Sequence, residues 1–141
     1  MIDKLQIPQN LHEIIEEEGQ WQDDSLYPIL ITVMDFEYKG VDIIGFEMEF
    51  PSSEELGKVN ELIENLGIEM DGYRWEFIIR QYIQSKNSEL EENIYSDSEL
   101  ENCVLWVKSK EDFLELIKLV LQIAEGPQEV NDIIQNMSRK I

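Results

Sequence analysis

The chain has 141 residues, and 31 Asp plus Glu set against 11 Lys plus Arg leave a formal net charge of -20. Such a field argues against nucleic acid or an anionic membrane surface as partner, since both call for a basic patch, and it favours a basic protein drawn in by long-range attraction. Apolar residues make up 43% of the chain and stand in periodic runs, so disorder is excluded and one domain over residues 1–141 is expected, the N-terminal 26 residues being an acidic segment.

The opening residues Met1-Ile2-Asp3-Lys4-Leu5 carry no basic region, long apolar core or small-residue cleavage site. No apolar run reaches the roughly 18 residues of a spanning helix. A cytoplasmic protein is therefore expected. Leu11, Ile14 and Ile15 line one side of a short helix that Glu16-Glu17-Glu18 and Gly19 close. Residues 21–25 (Trp21-Gln22-Asp23-Asp24-Ser25) are expected as a loop with an exposed acidic lip.

Beyond Pro28, the β-branched run Ile29 to Met34 predicts a strand. Asp35 to Gly40 is expected as a turn and Val41 to Phe50 as a second strand, together an antiparallel hairpin. Alternation in the second strand puts Ile44, Phe46, Met48 and Phe50 on a core face, with Glu47 and Glu49 facing water. Pro51 breaks it. Ser52 or Ser53 is then expected to cap a helix carrying Leu56, Val59, Leu62, Ile63 and Leu66, with Gly67 in the left-handed position at its end.

A further helix follows Glu69-Met70-Asp71-Gly72, with Trp75, Ile78, Ile79, Tyr82 and Ile83 on one face and Arg74, Glu76 and Arg80 towards solvent. Ser85 to Asn93 reads as a polar helical stretch anchored by Leu90. Ile94-Tyr95-Ser96 reads as a short strand and Cys103 to Val107 as a stronger one. A helix over residues 110–123 and a last helix bearing Val130, Ile133, Ile134 and Met137 are separated by Gly126-Pro127. The fold class expected is α+β: a two-layer single domain with a small antiparallel sheet packed on one face against several helices.

Catalytic chemistry finds no foothold in these residues. His12 is the one histidine, beside Glu13 in the first helix, and is expected as a solvated surface residue. Cys103, the one cysteine, lies in an apolar strand and is expected as a buried small hydrophobe; one His and one distant Cys do not make a zinc site. The segment 97–102 lacks the glycine and length of a calcium loop, and no glycine-rich phosphate loop is present. Any two of so many carboxylates can be imagined as a glycosidase pair, which carries no information. No catalytic residue, metal site or cofactor is expected, and the chain is not expected to be an enzyme.

Acidic clusters in expected loops and helix ends are the binding candidates: Glu17 within 16–18, Asp23 and Asp24, the turn Asp35-Phe36-Glu37-Tyr38, and Asp97 with Glu99 and Glu101. In the turn, two carboxylates alternate with two aromatics, so it can take a basic partner's side chains and supply anchoring area. Set against that, Phe36 can fold back into the core and the acids can be plain solvated turn residues. Trp75 and Trp106 are expected in the core because both sit within apolar runs. Trp21, among polar residues, stands between packing and interface. The binding candidates are therefore Glu17, Trp21, Asp23, Asp24, Asp35, Glu37 and Tyr38.

Gly67 followed by Asp71-Gly72-Tyr73-Arg74-Trp75-Glu76 resembles the G-x(n)-N-G-Y-x-W-E signature of the Immunity protein 51 (Imm51) family of bacterial immunity proteins. The resemblance covers roughly residues 27 to 137 and is sharpest at Gly72, Tyr73, Trp75 and Glu76; Asp71 stands where the family has Asn. It also takes in the polar run after the helix, residues 94–99, the strand ending at Val107-Lys108-Ser109-Lys110-Glu111, the long apolar helix and the short closing one. The resemblance implies an immunity protein of a polymorphic or contact-dependent growth-inhibition system that neutralises a cognate toxin domain by stoichiometric occlusion of its active site or substrate groove. The charge adds that this toxin is basic, a nuclease being the favoured kind. The alternative is an acidic adaptor or regulator unrelated to toxins.

Overall fold

The computed structural model describes residues 2–140, with side chains described for 3–138. Three strands lie early in the chain: β1 (Gln20–Asp23), β2 (Leu30–Tyr38) and β3 (Val41–Pro51). Helix α1 (Leu11–Glu18) precedes them. Helices α2 (Val59–Asn65), α3 (Gly72–Lys86) and α4 (Ser88–Glu92) follow, then β4 (Tyr95–Ser96) and β5 (Asn102–Val107), and finally α5 (Lys110–Ala124) and α6 (Gln128–Lys140). The five strands form one antiparallel sheet in the order β1-β2-β3-β5-β4. The expected two-layer α+β architecture is the one observed.

The helices lie on one side of the sheet. Ile31 and Val33 from β2, Phe46, Met48 and Phe50 from β3, and Cys103, Leu105 and Val107 from β5 join Leu11, Ile15, Trp75, Ile79, Phe113, Ile117 and Ile134 in one apolar core. The expected alternation in β3 holds from Phe46 onward, while Ile44 is only partly buried against that core. Trp75 is fully buried and meets the Phe50 ring edge to face at 5.3 Å. Its indole N–H finds no acceptor there among the described residues.

Helix ends follow the chemistry of their sequences. Asp71 accepts from Arg74 N at 2.8 Å and caps α3, and Ser109 accepts from Asp112 N at 3.2 Å and caps α5. Asn is an equally good cap, so Asp71 in place of the family's Asn leaves this function intact. Three expected element boundaries need correction. Residues 21–23 are strand, not loop: β1 pairs with β2 from Gln20 opposite Met34 to Asp23 opposite Ile31. The turn expected over 35–40 shrinks to Lys39-Gly40, both with positive φ (54° and 82°), which lets β2 run on to Tyr38. Finally, the helix after Pro51 begins only at Val59, because the Ser52 hydroxyl donates to the Leu100 and Glu101 carbonyls at 3.2 Å instead of capping.

Arg80 is not a solvent-facing residue of α3. Its guanidinium donates to the Ile94 carbonyl at 2.9 Å and to Glu91 Oε1 at 3.0 Å, and also reaches Ser96 Oγ. One side chain thus ties α3 to α4 and to the sheet's β4 edge.

Candidate binding face

Strand pairing fixes which side chains share the uncovered side of the sheet. Met34, Phe36 and Tyr38 from β2, Ile43, Gly45, Glu47 and Glu49 from β3, Trp106 from β5 and Tyr95 from β4 all fall on it, opposite the helices. Extending β2 through residues 35–38 is what divides the acidic–aromatic segment. Phe36 and Tyr38 stand on this face. Asp35 and Glu37, opposite Ile44 and Asp42, alternate with them onto the helix side of β2 and are exposed there near the hairpin end.

The aromatic residues make one cluster. Tyr95 stacks on Trp106 at 4.3 Å, Phe36 meets Trp106 edge to face at 4.4 Å, and Tyr38 lies 5.1 Å from Tyr95 and 5.7 Å from Trp106. Trp106 is therefore not a core residue: it is partly buried on the open face, with the Phe36 and Tyr95 rings against it. Glycine at position 45 is required by this packing. A Cβ there would lie 1.8 Å from Phe36 Cε1, so only glycine lets the ring lie across β3.

Charge surrounds the cluster unevenly. At the hairpin end, Lys108 Nζ sits 4.2 Å from the Tyr38 ring centre and 5.1 Å from that of Tyr95, and Lys39 Nζ lies 5.3 Å from the Tyr38 ring. The Lys108 ammonium, and after it the Tyr38 hydroxyl, hold the pKa of the Tyr95 hydroxyl below the usual range. On the other side stand carboxylates. Burial pushes the Glu47 carboxyl up to about 7, and the neighbouring charges of Glu49 and Asp97 push in the same direction.

Two cavities open on this face. One of about 380 Å³ is lined by Phe36, Tyr38, Gly45, Glu47, Asp97 and Trp106 among others. The other, of about 450 Å³, lies beside Gln22, Asp23, Asp24, Thr32 and Glu49. The acidic lip at 23–24 therefore borders the same face as the aromatic cluster. Asp23 is partly engaged already, accepting from Ser25 N at 2.9 Å and from its hydroxyl at 2.5 Å. Glu17 is exposed on α1, and Trp21 leans partly buried against the core. The residues that sequence reasoning did not place here are Glu47, Tyr95 and Trp106; Phe36, which the sequence leaves between an anchoring contact and the core, stands on this face. The alternation in β3 signalled Glu47, but strand order alone brings β5 beside it.

A third cavity, of about 500 Å³, lies between α3 and α6, lined by Tyr73, Phe77, Ile133 and Met137 among others. The motif residues beside it are mostly structural. A Cβ on Gly72 would lie 2.0 Å from the Glu99 carbonyl oxygen and 2.1 Å from that of Asn102, so glycine lets α3 dock on the β4–β5 hairpin, where its N–H donates to Leu100 O at 2.8 Å. Trp75 is core, and Glu76 pairs with Arg80 at 3.6 Å. Tyr73 is 53% exposed. His12 is exposed on α1, Cys103 is fully buried with its thiol pushed up to about 12 by burial, and no group of three or more His, Cys, Asp or Glu among the described residues could hold a metal. No helix among the described residues is long and apolar enough to cross a membrane.

The fold and this face define a two-layer α+β domain whose sheet leaves one aromatic, acid-bordered side uncovered. The family model for Immunity protein 51 matches residues 52–140, and the chain belongs to that family. The match starts beyond β3, later than the resemblance at residue 27 suggested, so Phe36, Tyr38 and Glu47 lie outside it while Tyr95 and Trp106 lie inside. No curated protein and no solved structure matches the chain.

Proposed function

We propose that this chain is an immunity protein that binds a cognate bacterial toxin domain through the open face of its sheet and neutralises it by stoichiometric occlusion. The observation that carries the reading is the aromatic cluster of Phe36, Tyr38, Tyr95 and Trp106 left uncovered beside Glu47, Glu49 and Asp97. Aromatic residues supply binding energy at interfaces at little entropic cost, and surrounding carboxylates steer and orient a basic partner. Membership of the Immunity protein 51 family supports the same reading. A net charge of -20 makes a basic toxin the partner that associates fastest, and a nuclease, whose cleft is built for phosphates, is the kind it suits best. Asp23, Asp24 and Glu37, which line the two cavities, supply the acidic border of the contact, with Asp35 around the hairpin edge, Glu17 and Trp21 at its α1–β1 margin and Tyr38 within it. The working compartment is the cytoplasm of the cell to be protected.

The test is co-expression with a candidate toxin domain taken from the genes flanking this one. The reading expects restored growth and a one-to-one complex, with Trp106→Ala weakening the complex at least tenfold while leaving the thermal midpoint within a few degrees. Failure of the chain to rescue growth or to co-purify with that domain contradicts it.

A further inference from the structure

The 380 Å³ cavity on the open face is too small for a folded segment and well suited to one long side chain. Its chemistry is specific. Phe36, Tyr38 and Trp106 present aromatic carbon, Glu47 and Asp97 present carboxylates, and Gly45 leaves the room that the Phe36 ring occupies against β3. The rings are already used as cation seats at the hairpin end, where Lys108 and Lys39 lie over Tyr38. Towards Glu47 none of the described cations fills the equivalent place: no Lys or Arg forms an ion pair with it, and the charges acting on it, Glu49 and Asp97, are both negative. A carboxylate drawn partly out of water with only acids for neighbours is a site short of one positive charge.

We infer that this cavity receives a single arginine side chain from the toxin domain, its guanidinium packed against the aromatic carbon that Phe36 and Trp106 turn into the cavity and hydrogen-bonded to Glu47, with Asp97 as the second carboxylate. The inference rests on the toxin-binding reading above and names the group that anchors it. Arginine suits the cavity better than lysine. Its planar guanidinium stacks on aromatic carbon, gives up its hydration more readily than an ammonium, and pairs with a carboxylate through two parallel N–H donors.

Two measurements test it. In the first, acetyl-Gly-Arg-Gly-amide is titrated into the full chain and followed by the Trp106 indole resonance, identified with Trp106→Phe. The isosteric, uncharged citrulline peptide and the lysine peptide serve as controls. A saturable shift with the arginine peptide, at least tenfold weaker with citrulline and lost in Glu47→Gln, is the expected result. Glu47→Gln keeps the fold because it removes a charge that Glu49 and Asp97 repel. Equal shifts from the arginine and citrulline peptides, or an unchanged response in Glu47→Gln, overturn the inference.

In the second, the toxin domain is titrated against the wild-type chain and Glu47→Gln, with at least tenfold weaker binding expected for the variant. A toxin that binds both equally overturns the arginine seat and leaves the immunity reading standing. An arginine peptide that seats at Trp106 while no toxin domain binds supports the chemistry of the cavity and sinks the immunity reading.

Discussion

Glu47 couples the open face to stability through its proton. In the unfolded chain its carboxyl ionises at an ordinary value near 4.5, and in the folded chain only near 7. Below pH 4.5 it is protonated in both states and contributes nothing. Between pH 4.5 and 7 the folded state holds a proton that the unfolded state has released, so stability falls as pH rises, and the whole penalty is present above pH 7. With solvent screening allowed for, its size is on the order of 1 kcal/mol. Glu47→Gln should therefore melt with the wild type at pH 4 and above it at pH 8. Equal midpoints at pH 8 would show that Glu47 ionises freely and that its neighbours do not repel it. Trp75 and Tyr73, two residues apart in the family motif, should behave in opposite ways. Trp75→Ala empties a fully buried aromatic site and should cost about 3–5 kcal/mol. Tyr73→Ala, on a half-exposed ring, should stay within about 0.5 kcal/mol. A Tyr73→Ala midpoint as low as that of Trp75→Ala would mean that the α3–α6 groove holds the fold together.

At the scale of elements, Arg80 makes the β4 edge dependent on α3. Its contacts to the Ile94 carbonyl, Glu91 and Ser96 satisfy groups from two other elements with one planar fork. Arg80→Lys keeps the charge but cannot make these contacts together, so it should cost about 1–2 kcal/mol and speed amide exchange at Tyr95 and Ser96. Unchanged exchange there would show that pairing with β5 alone secures the edge. The elements legible in the sequence were those with strong local signals. Apolar spacing found α3 and α5, Gly19 and Gly67 marked helix ends at φ 86° and 66°, and alternation found β3. What failed depended on partners distant in sequence. Residues 21–23 hold a single apolar side chain, Trp21, and become strand only by pairing with β2, and Asp35 to Tyr38 reads as a turn until Lys39-Gly40 makes the tighter one. Ser52 resembles a cap but is drawn to carbonyls in the β4–β5 connection. The same limit governs the site. Tyr38 and the acids were visible one by one, but the position of Trp106 on the open face follows from β5 pairing with β3, which no local pattern encodes.

For the molecule as a whole, the charge of -20 acts on the free chain and on its complex in opposite directions. Carboxylates repel one another across a small domain, so the unfolding midpoint of the free chain should rise as sodium chloride increases from 0.01 to 0.15 M, where the screening length falls from about 30 to about 8 Å. Over the same range, association with a basic toxin should slow while dissociation changes little. An association rate flat across this range would reduce the acidity to a solubility feature and leave the aromatic cluster to account for binding alone.

The open face of the sheet as the contact surface is the central claim, and an amide-exchange footprint of the toxin complex tests it most directly. Protection should appear at residues 34–38, 43–49, 95–97 and 106, with the α3–α6 groove at Tyr73, Phe77 and Ile133 unchanged. Protection confined to that groove, with the β2–β3 hairpin and Trp106 exchanging as in the free chain, would contradict it.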